Sequence, residues 1–366
     1  MGERLRAGIV GHGGHGNYGH QIDAGFAAEP RVLVAAVADP DPETRAASAA
    51  RTRAQRQYES WAEMLSHEDL DLVLVCPRWI AGHEEVVVAA LRAGAHVYCE
   101  KPLGQDLAQV DRMLAEADRA GRLLATALPA VHEPRFRRFT DLLASGELGE
   151  PLQMRGLCKW DHRAGGEDLF VLGGHLADAM RRIGGDAVTC AGYVGTGTKP
   201  FTRQEARQGA EEIGLVGGDR VHATYTFERG LVGTIESWPC AIEDRAEQPY
   251  RLEVHCTRGI AVLRAPYADG SVWYTRKPVV YAGHDDWCRL DTRAPESYAG
   301  YHAHAAADFV DAVLEGRPPA CSGRDGAAAI EMLHAIYWSH LDGQLVRLPL
   351  DRRWHPLSEV DPRTTA

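Results

Sequence analysis

The chain has 366 residues, a length that favours two domains of ordinary size. Its 45% apolar and 25% charged residues are typical of a globular protein with a substantial core, and its net charge of −11 argues against nucleic acid as a partner. Because no apolar run approaches the ~20 residues of a membrane span and no signal-peptide core follows Met1, we expect a cytoplasmic protein with free thiols at its eight cysteines.

The first third of the chain alternates short apolar runs with helix-like segments. Strands are predicted at 5–10, 32–38, 72–76, 96–99 and 123–128. Helices are predicted at 17–28, 43–55, 84–93 and 107–120. Alternating strands and helices of these lengths predict βαβ units, a parallel sheet and, with right-handed crossovers, a Rossmann fold.

The pattern changes after about residue 128. Helices are predicted at 135–144 and 169–183, and two more close the chain at 302–314 and 326–340. Strands are predicted at 188–194, 221–227, 231–237, 251–256, 260–263 and 272–274, with glycine turns at 228–230 and 268–270. Consecutive strands joined by tight turns predict a mostly antiparallel sheet. We therefore expect a Rossmann domain at 1–127 and an α/β substrate-binding domain at 128–366.

A glycine-rich turn directly follows the first strand. Gly11, Gly13 and Gly16 fit G-x-G-x-x-G, in which the glycines permit a tight turn, approach of a pyrophosphate and close packing of a helix. The N-terminus of the following helix would offer N–H groups to the anion. Asp39 ends the second strand, where a carboxylate binds the adenosine ribose and repels a 2′-phosphate, which favours NAD over NADP. A methyltransferase shares these two features and remains an alternative at this point.

Three histidines surround the turn: His12, His15 and His20. A metal site is conceivable, but no cysteine or carboxylate accompanies them at ligand spacing. We therefore predict no metal and assign His12, Gly14 and His15 to the cofactor-binding turn.

Two further motifs carry residues suited to catalysis. Lys101 follows the fourth strand, where its ammonium could stabilise a developing alkoxide; a solvent-facing turn lysine is the alternative. His175 and Asp178 share a helix face, so His175 could act as a general base. The alternative is that His175 is a buried structural histidine that forms a hydrogen bond with a neighbouring side chain.

Taken together, the glycine turn, Asp39, Glu-Lys-Pro at about residue 100 and Gly-x-His-x-x-Asp at about 175 resemble the Gfo/Idh/MocA oxidoreductases over nearly the whole chain. The resemblance implies an NAD(P)-binding domain followed by an α/β domain with a large, mostly antiparallel open sheet. In the family this sheet often forms an oligomer interface, so we expect a homodimer or homotetramer. It also implies hydride transfer between the nicotinamide and a secondary alcohol or ketone of a sugar, glycoside or cyclitol.

The same resemblance implies roles for individual residues. Lys101 and His175 match the catalytic lysine and histidine, and Pro77, His83 and Glu100 match cofactor-binding positions. The resemblance would also bring His302 and His304 near the cleft. Apart from the resemblance, three side chains that precede the predicted helix of His175 could line a sugar pocket: Arg135, Trp160 and His162. Trp160 could stack on a sugar ring or could equally be a core residue.

One position departs from the family pattern. Typical members have an aspartate four residues before the histidine, where this chain has Val171. Asp168, about one helical turn earlier, is the candidate replacement, and Asp178 is the other carboxylate that could orient His175.

Three functions remain open from the sequence. The leading one is an NAD-dependent dehydrogenase or reductase. The second is a redox-cycling enzyme that retains NAD and gives net glycoside hydrolysis, elimination or epimerisation. The third, a non-catalytic NAD-binding regulator, is favoured only by Val171. The charged, glycine-rich segment 201–218 is either an excursion beside the active site or a plain surface loop.

Overall fold

The computed structural model describes residues 4–240, 249–264, 271–277, 286–290 and 298–358, so the predicted turn at 268–270 lies outside the described residues. The chain divides into two compact units. The first comprises Met1–His132, Gly209–Gly214 and Pro295–Ala327. The second comprises Glu133–Gln208, Leu215–Ala294 and Ala328–Ala366.

The helices follow the predicted pattern with several changes at their ends, and the sequence analysis missed the helix at Trp61–His67. In chain order they are α1 Ile22–Ala27, α2 Pro42–Thr52, α3 Trp61–His67, α4 His83–Arg92, α5 Leu107–Ala120, α6 Pro134–Ala144, α7 Gly166–Asp168, α8 Gly174–Gly184, α9 Tyr298–Glu315 and α10 Gly323–Asp342. Short 3-10 turns lie at Ile80–Gly82, Pro129–His132 and Arg203–Glu205, and a π-helical turn lies at Leu169–Gly173.

Side-chain caps explain where several helices begin. Asp41 accepts hydrogen bonds from the N–H groups of Glu43 and Thr44 at the start of α2. Ser60 and Asp106 cap α3 and α5 in the same way. These caps satisfy backbone donors that have no partner within the helix.

The first unit contains a six-stranded parallel sheet. Its strands are β1 Leu5–Val10, β2 Val32–Ala38, β3 Arg56–Tyr58, β4 Leu72–Val75, β5 His96–Cys99 and β6 Leu124–Thr126. The order β3-β2-β1-β4-β5-β6 is that of a Rossmann fold, which confirms the prediction. In such a sheet the connections reverse between β1 and β4, and ligands bind outside the carboxyl ends of the strands at that point.

The core of the first unit joins this sheet to helices from both ends of the chain. Ile9 and Leu74 of the central strands are fully buried. Phe26 of α1 packs against Tyr98 of β5, with ring centroids 4.8 Å apart, and Phe309 of α9 joins the same cluster. Helix α9 therefore belongs to the first unit although it follows the second sheet in sequence.

The second unit contains a ten-stranded, mostly antiparallel sheet. Its strands are β7 Pro151–Leu157, β8 Ala187–Thr196, β9 Lys199–Pro200, β12 Arg220–Phe227, β13 Val232–Ser237, β14 Arg251–Cys256, β15 Ile260–Arg264, β16 Val272–Thr275, β17 Trp287–Leu290 and β18 Val346–Arg347. A separate two-stranded hairpin pairs β10 Arg207–Gln208 with β11 Leu215–Val216. Within the large sheet, β7 and β13 are parallel neighbours. The predicted fold class is confirmed, although the sequence analysis missed β7, β17 and the short strands β3, β9, β10, β11 and β18.

Alternation along the strands gives this sheet one apolar face. Val221, Ala223, Tyr225 and Phe227 of β12 are buried, while the residues between them are partly or fully exposed. Because side chains alternate between the two faces along a strand, every second side chain lies on the core face.

Among the described residues, no helix combines the length and apolar character that a membrane span needs.

Candidate active site

The glycine turn is packed tightly at Gly11 and Gly13 and open at Gly14. A Cβ added at Gly11 would lie 2.3 Å from the ring of Tyr18, and one at Gly13 would lie 2.5 Å from the side chain of Asp41. At Gly14 the nearest atoms belong to the His12 ring, 3.7 Å away. Only glycine fits the first two positions, and the backbone at Gly14 remains approachable by a ligand.

The carboxylate of Asp39 joins the end of β2 to this turn. Its Oδ1 accepts hydrogen bonds from the N–H groups of Gly13 and Asp41, each at 2.9 Å, and its Oδ2 accepts one from the Thr44 hydroxyl at 2.9 Å. The side chain is fully buried. Asp39 therefore lies where the ribose-binding acid was expected, and it also holds the turn against β2.

The helix after the turn begins later than predicted. Helix α1 starts at Ile22 instead of Asn17, because Asn17 and Gln21 have φ values of 54° and 63°, outside the right-handed helical region. The N–H groups of His15 and Asn17 close the turn by donating to the carbonyl of His12. The predicted start of this helix at residue 17 is therefore wrong.

The three histidines near the turn separate into two locations. The rings of His12 and His15 lie 4.5 Å apart between centroids, and His15 stacks on Trp79 at 4.7 Å. His20 instead places its Nδ1 3.0 Å from Oε1 of Glu100. In the described part of the chain, no group of three or more potential ligands could hold a metal ion.

Lys101 lies in a largely buried cluster of charged and polar side chains. It is 7% exposed, and the neighbouring Glu100 is fully buried. Burial opposes ionisation of Glu100, but His20 and Lys101 lower the pKa of its carboxyl to about 2. His302 of α9 lies in the same cluster, with Nδ1 3.3 Å from the hydroxyl of Tyr98, and burial lowers its pKa to about 4. A buried negative charge thus accompanies the lysine ammonium.

His83 connects the two loops that carry Pro77 and Lys101. Its Nε2 lies 2.7 Å from the carbonyl oxygen of Pro77, and its Nδ1 lies 3.1 Å from that of Pro102. The side chain is 1% exposed, and burial lowers its pKa. His83 is therefore placed to position the loops after β4 and β5 rather than to present its ring at a surface.

His175 lies on the first turn of α8, immediately after the π-helical turn, and is half-buried. π-Helical turns occur often at functional sites. Helix α8 lies close to the sheet because Gly233 of β13 has no side chain, and a Cβ there would lie 2.4 Å from Met180. Asp178, on the same helix, is fully buried and accepts a hydrogen bond from Nε of Arg182 at 3.1 Å.

Asp168 is a buried carboxylate that joins three segments of the second unit. It accepts hydrogen bonds from the N–H groups of Lys159 and Trp160, at 3.3 and 3.0 Å, and from the Ser237 hydroxyl at 2.7 Å. Burial raises its pKa. These bonds tie the loop after β7 and the end of β13 to the helical segment that leads to His175.

The residues predicted to line the substrate pocket differ in exposure. Trp160 is half-buried, has a φ of 60°, and donates from Nε1 to the carbonyl of Glu236 at 3.1 Å. The side chain of His162 is 86% exposed. Arg135 is 1% exposed and forms an ion pair with Glu133, whose pKa is raised to about 7 by burial. The structure thus leaves Trp160 and His162 accessible and encloses Arg135.

Sequence comparison assigns both units to one family. Residues 5–128 match the NAD-binding Rossmann fold of the oxidoreductase family Gfo/Idh/MocA, and residues 141–348 match its C-terminal α/β domain. The chain belongs to the Gfo/Idh/MocA oxidoreductases. It is therefore an NAD-binding oxidoreductase, as the sequence resemblance predicted.

Two curated relatives of this Gfo/Idh/MocA member align over most of their length. It is 27% identical to myo-inositol 2-dehydrogenase of Thermotoga maritima over 302 residues, covering 80% of this chain and 84% of the relative. It is 26% identical to D-apiose dehydrogenase of Paraburkholderia graminis over 333 residues, covering 86% and 83%.

Solved structures share the fold. Levoglucosan dehydrogenase in complex with NADH and levoglucosan has a TM-score of 0.77 at 20% identity, covering 95% of this chain and all of the other. An oxidoreductase from Agrobacterium radiobacter in complex with NAD+, L-tartaric acid and magnesium has a TM-score of 0.75 at 17% identity, covering 94% and 98%.

Proposed function

We propose that this protein is a dehydrogenase or reductase that transfers hydride between NAD and a secondary alcohol or ketone of a sugar, glycoside or cyclitol. The observation that carries the proposal is Lys101, held beside the buried carboxylate of Glu100 at the carboxyl end of β5 in an NAD-binding Rossmann unit. Relatives named for inositol and apiose support the substrate class. When bound, the nicotinamide accepts or delivers the hydride.

The chain supplies groups for the proton and for the oxygen. In the proposed oxidation, His175 removes the hydroxyl proton, and Lys101 holds the oxygen and stabilises its developing negative charge. Asp178 or Asp168 orients His175. Asp168 accepts three hydrogen bonds from other groups, which favours an indirect role in which it positions the segment before His175. Trp160 and His162 are proposed to contact the substrate, and Asp39 to favour NAD over NADP.

The test is an absorbance screen with NAD and NADP against sugars, glycosides, cyclitols and their keto forms. Lys101→Ala and His175→Ala are each expected to lower turnover by ~10²–10⁴ because each removes a group that acts on the reacting oxygen. Lys199→Ala and His67→Ala, at exposed positions, are matched controls expected to keep wild-type turnover. Circular dichroism melting checks the fold of each variant.

Two results would contradict the proposal: undiminished turnover in either active-site variant, or no absorbance change with any alcohol or ketone tested. Sugar conversion without a net change in NADH absorbance would favour the alternative, in which retained NAD is reduced and reoxidised within each turnover.

We also propose a cytoplasmic homodimer or homotetramer that associates through the second sheet. Tyr193 of β8 and Val232 of β13 support this, because they are large apolar side chains that are 42% and 39% exposed. The eight free cysteines support a reducing compartment.

A further inference from the structure

A short segment between β10 and β11 belongs to the first unit, although both strands that flank it belong to the second. In this segment, Gly209–Gly214, Oε1 of Glu212 lies 2.5 Å from Nδ1 of His15. Oε2 of Glu211 lies 2.9 Å from a guanidinium nitrogen of Arg78. The carbonyl of Glu212 also accepts a hydrogen bond from the N–H of Ile80 at 3.3 Å.

These contacts reach both borders of the dinucleotide crevice. His15 lies in the turn after β1, whereas Arg78 and Ile80 lie in the loop after β4. Strands β1 and β4 are the neighbours between which the connections of the Rossmann sheet reverse, and dinucleotides bind in the crevice at that point. One segment is therefore bound to both sides of the place where NAD must enter and leave.

The segment is held as a compact unit. Its ends are joined by a hydrogen bond of 2.8 Å from the N–H of Gly209 to the carbonyl of Gly214, and Ile213 is 4% exposed. The stack of His15 on Trp79 adds a contact between the two borders. The hydrogen bond from the N–H of Ile80 to the carbonyl of Glu212 and the buried side chain of Ile213 do not involve the carboxylates of Glu211 and Glu212, so they hold the segment independently of the two ion pairs.

We propose that Gly209–Gly214 forms a strap across the dinucleotide crevice that slows release of NAD, with Glu211 and Glu212 holding it closed. The proposal rests on NAD binding by the Rossmann unit and not on the proposed sugar substrate. It adds a role for the excursion at 201–218 that the sequence left open. A strap of this kind would favour the cofactor retention that the redox-cycling alternative requires.

The test measures release of NADH directly. The NADH complex is mixed with excess NAD in a stopped-flow fluorimeter, and the dissociation rate is compared between wild type and the double variant Glu211→Gln, Glu212→Gln. Because partly exposed ion pairs contribute little individually, the double variant is expected to release NADH about fivefold faster, with an association rate that is unchanged or higher.

Glu84→Gln is the matched control, because it removes the partly exposed ion pair between Glu84 and Arg112 elsewhere in the first unit. It should leave the release rate at the wild-type value. If circular dichroism shows that the double variant is unfolded, the single variants Glu211→Gln and Glu212→Gln carry the test, with about twofold faster release expected for each.

A release rate in the double variant within 1.5-fold of wild type would overturn the strap. The strap would also be overturned if the double variant bound NADH more tightly only because association became faster. In that case the carboxylates would act by competing with the pyrophosphate for its site and not by slowing release. Wild-type protein that bound no NADH would overturn the premise. Lack of turnover with sugars would leave the release rates measurable, so failure of the proposed function is distinguishable from failure of the strap.

Discussion

Asp39 has a structural role in the glycine turn, and we propose that the same carboxylate also selects the cofactor. Its hydrogen bonds to the N–H groups of Gly13 and Asp41 hold the glycine turn, and its negative charge lies at the end of β2, where a Rossmann fold places the ribose of the cofactor. Charge and hydrogen-bonding capacity can be separated by replacing the carboxylate with an amide.

We predict that Asp39→Asn lowers the preference for NAD over NADP by about tenfold or more, because the charge that repels a 2′-phosphate is lost. The amide oxygen can still accept from Gly13, so the turn should keep its form. The ratio of the dissociation constants of NADH and NADPH, measured by fluorescence titration, checks the effect. Glu43→Gln, at an exposed position of α2, is the control, and an unchanged ratio in Asp39→Asn would refute the assignment.

At the level of secondary structure, the segment from Gly166 to Gly184 contains two helices joined by a π-helical turn, and His175 lies half-buried on the first turn of the second helix. Asp168 lies at the start of this segment and bonds to the loop after β7 and to Ser237. We therefore propose that a buried carboxylate seven residues earlier helps to position His175, in addition to the packing of α8 on the sheet.

We predict that Asp168→Ala lowers the free energy of unfolding by about 2–4 kcal/mol, because buried donors of Lys159, Trp160 and Ser237 lose their acceptor. Urea unfolding followed by circular dichroism measures the change. Asp141→Ala, at an exposed position of α6, should stay within about 0.5 kcal/mol of wild type. Equal stability of the two variants would show that the bonds of Asp168 contribute nothing to the fold.

For the whole molecule, burial of neutral histidines couples folding to pH. Burial lowers the pKa values of His83 and His334, and it lowers those of His302 and His355 to about 4. The unfolded chain binds these protons near pH 6.5 and the folded chain only at lower pH. Between these values the unfolded state holds more protons, so stability is full above pH 6.5 and falls as the pH decreases towards 4.

We predict that each of these histidines lowers the free energy of unfolding by about 1 kcal/mol at pH 5.5 relative to pH 8. His334→Leu should flatten the dependence, since His334 is fully buried and its ring nitrogens have no hydrogen-bond partner among the described residues. Urea unfolding from pH 8 to 5 provides the slope. His162→Gln, at a largely exposed side chain, should leave the slope unchanged, and an unaltered slope in His334→Leu would count against the explanation.

Local pattern was sufficient for the fold class and for the cofactor. The sequence shows a glycine turn directly after a strand, an acid at the end of the next strand and alternating apolar segments, and each of these is a feature of neighbouring residues. The handedness of βαβ crossovers then limits the order of strands in the sheet. The positions of Gly11, Gly13 and Asp39 in the fold therefore follow from the sequence. The short strand β7 and the late start of α1 could not, because they depend on pairing with distant strands and on left-handed backbone at Asn17 and Gln21.

Contacts between residues far apart in the chain required the three-dimensional structure. Glu212 lies 197 positions from His15, and His302 lies 204 positions from Tyr98, yet each pair is in contact. No periodicity or spacing encodes such pairs, because they arise from how helices and loops pack around the completed sheet. The motifs of the sequence thus identify an NAD-binding oxidoreductase, whereas the partners of Asp168, the cluster around Lys101 and the strap at Gly209–Gly214 follow from tertiary packing.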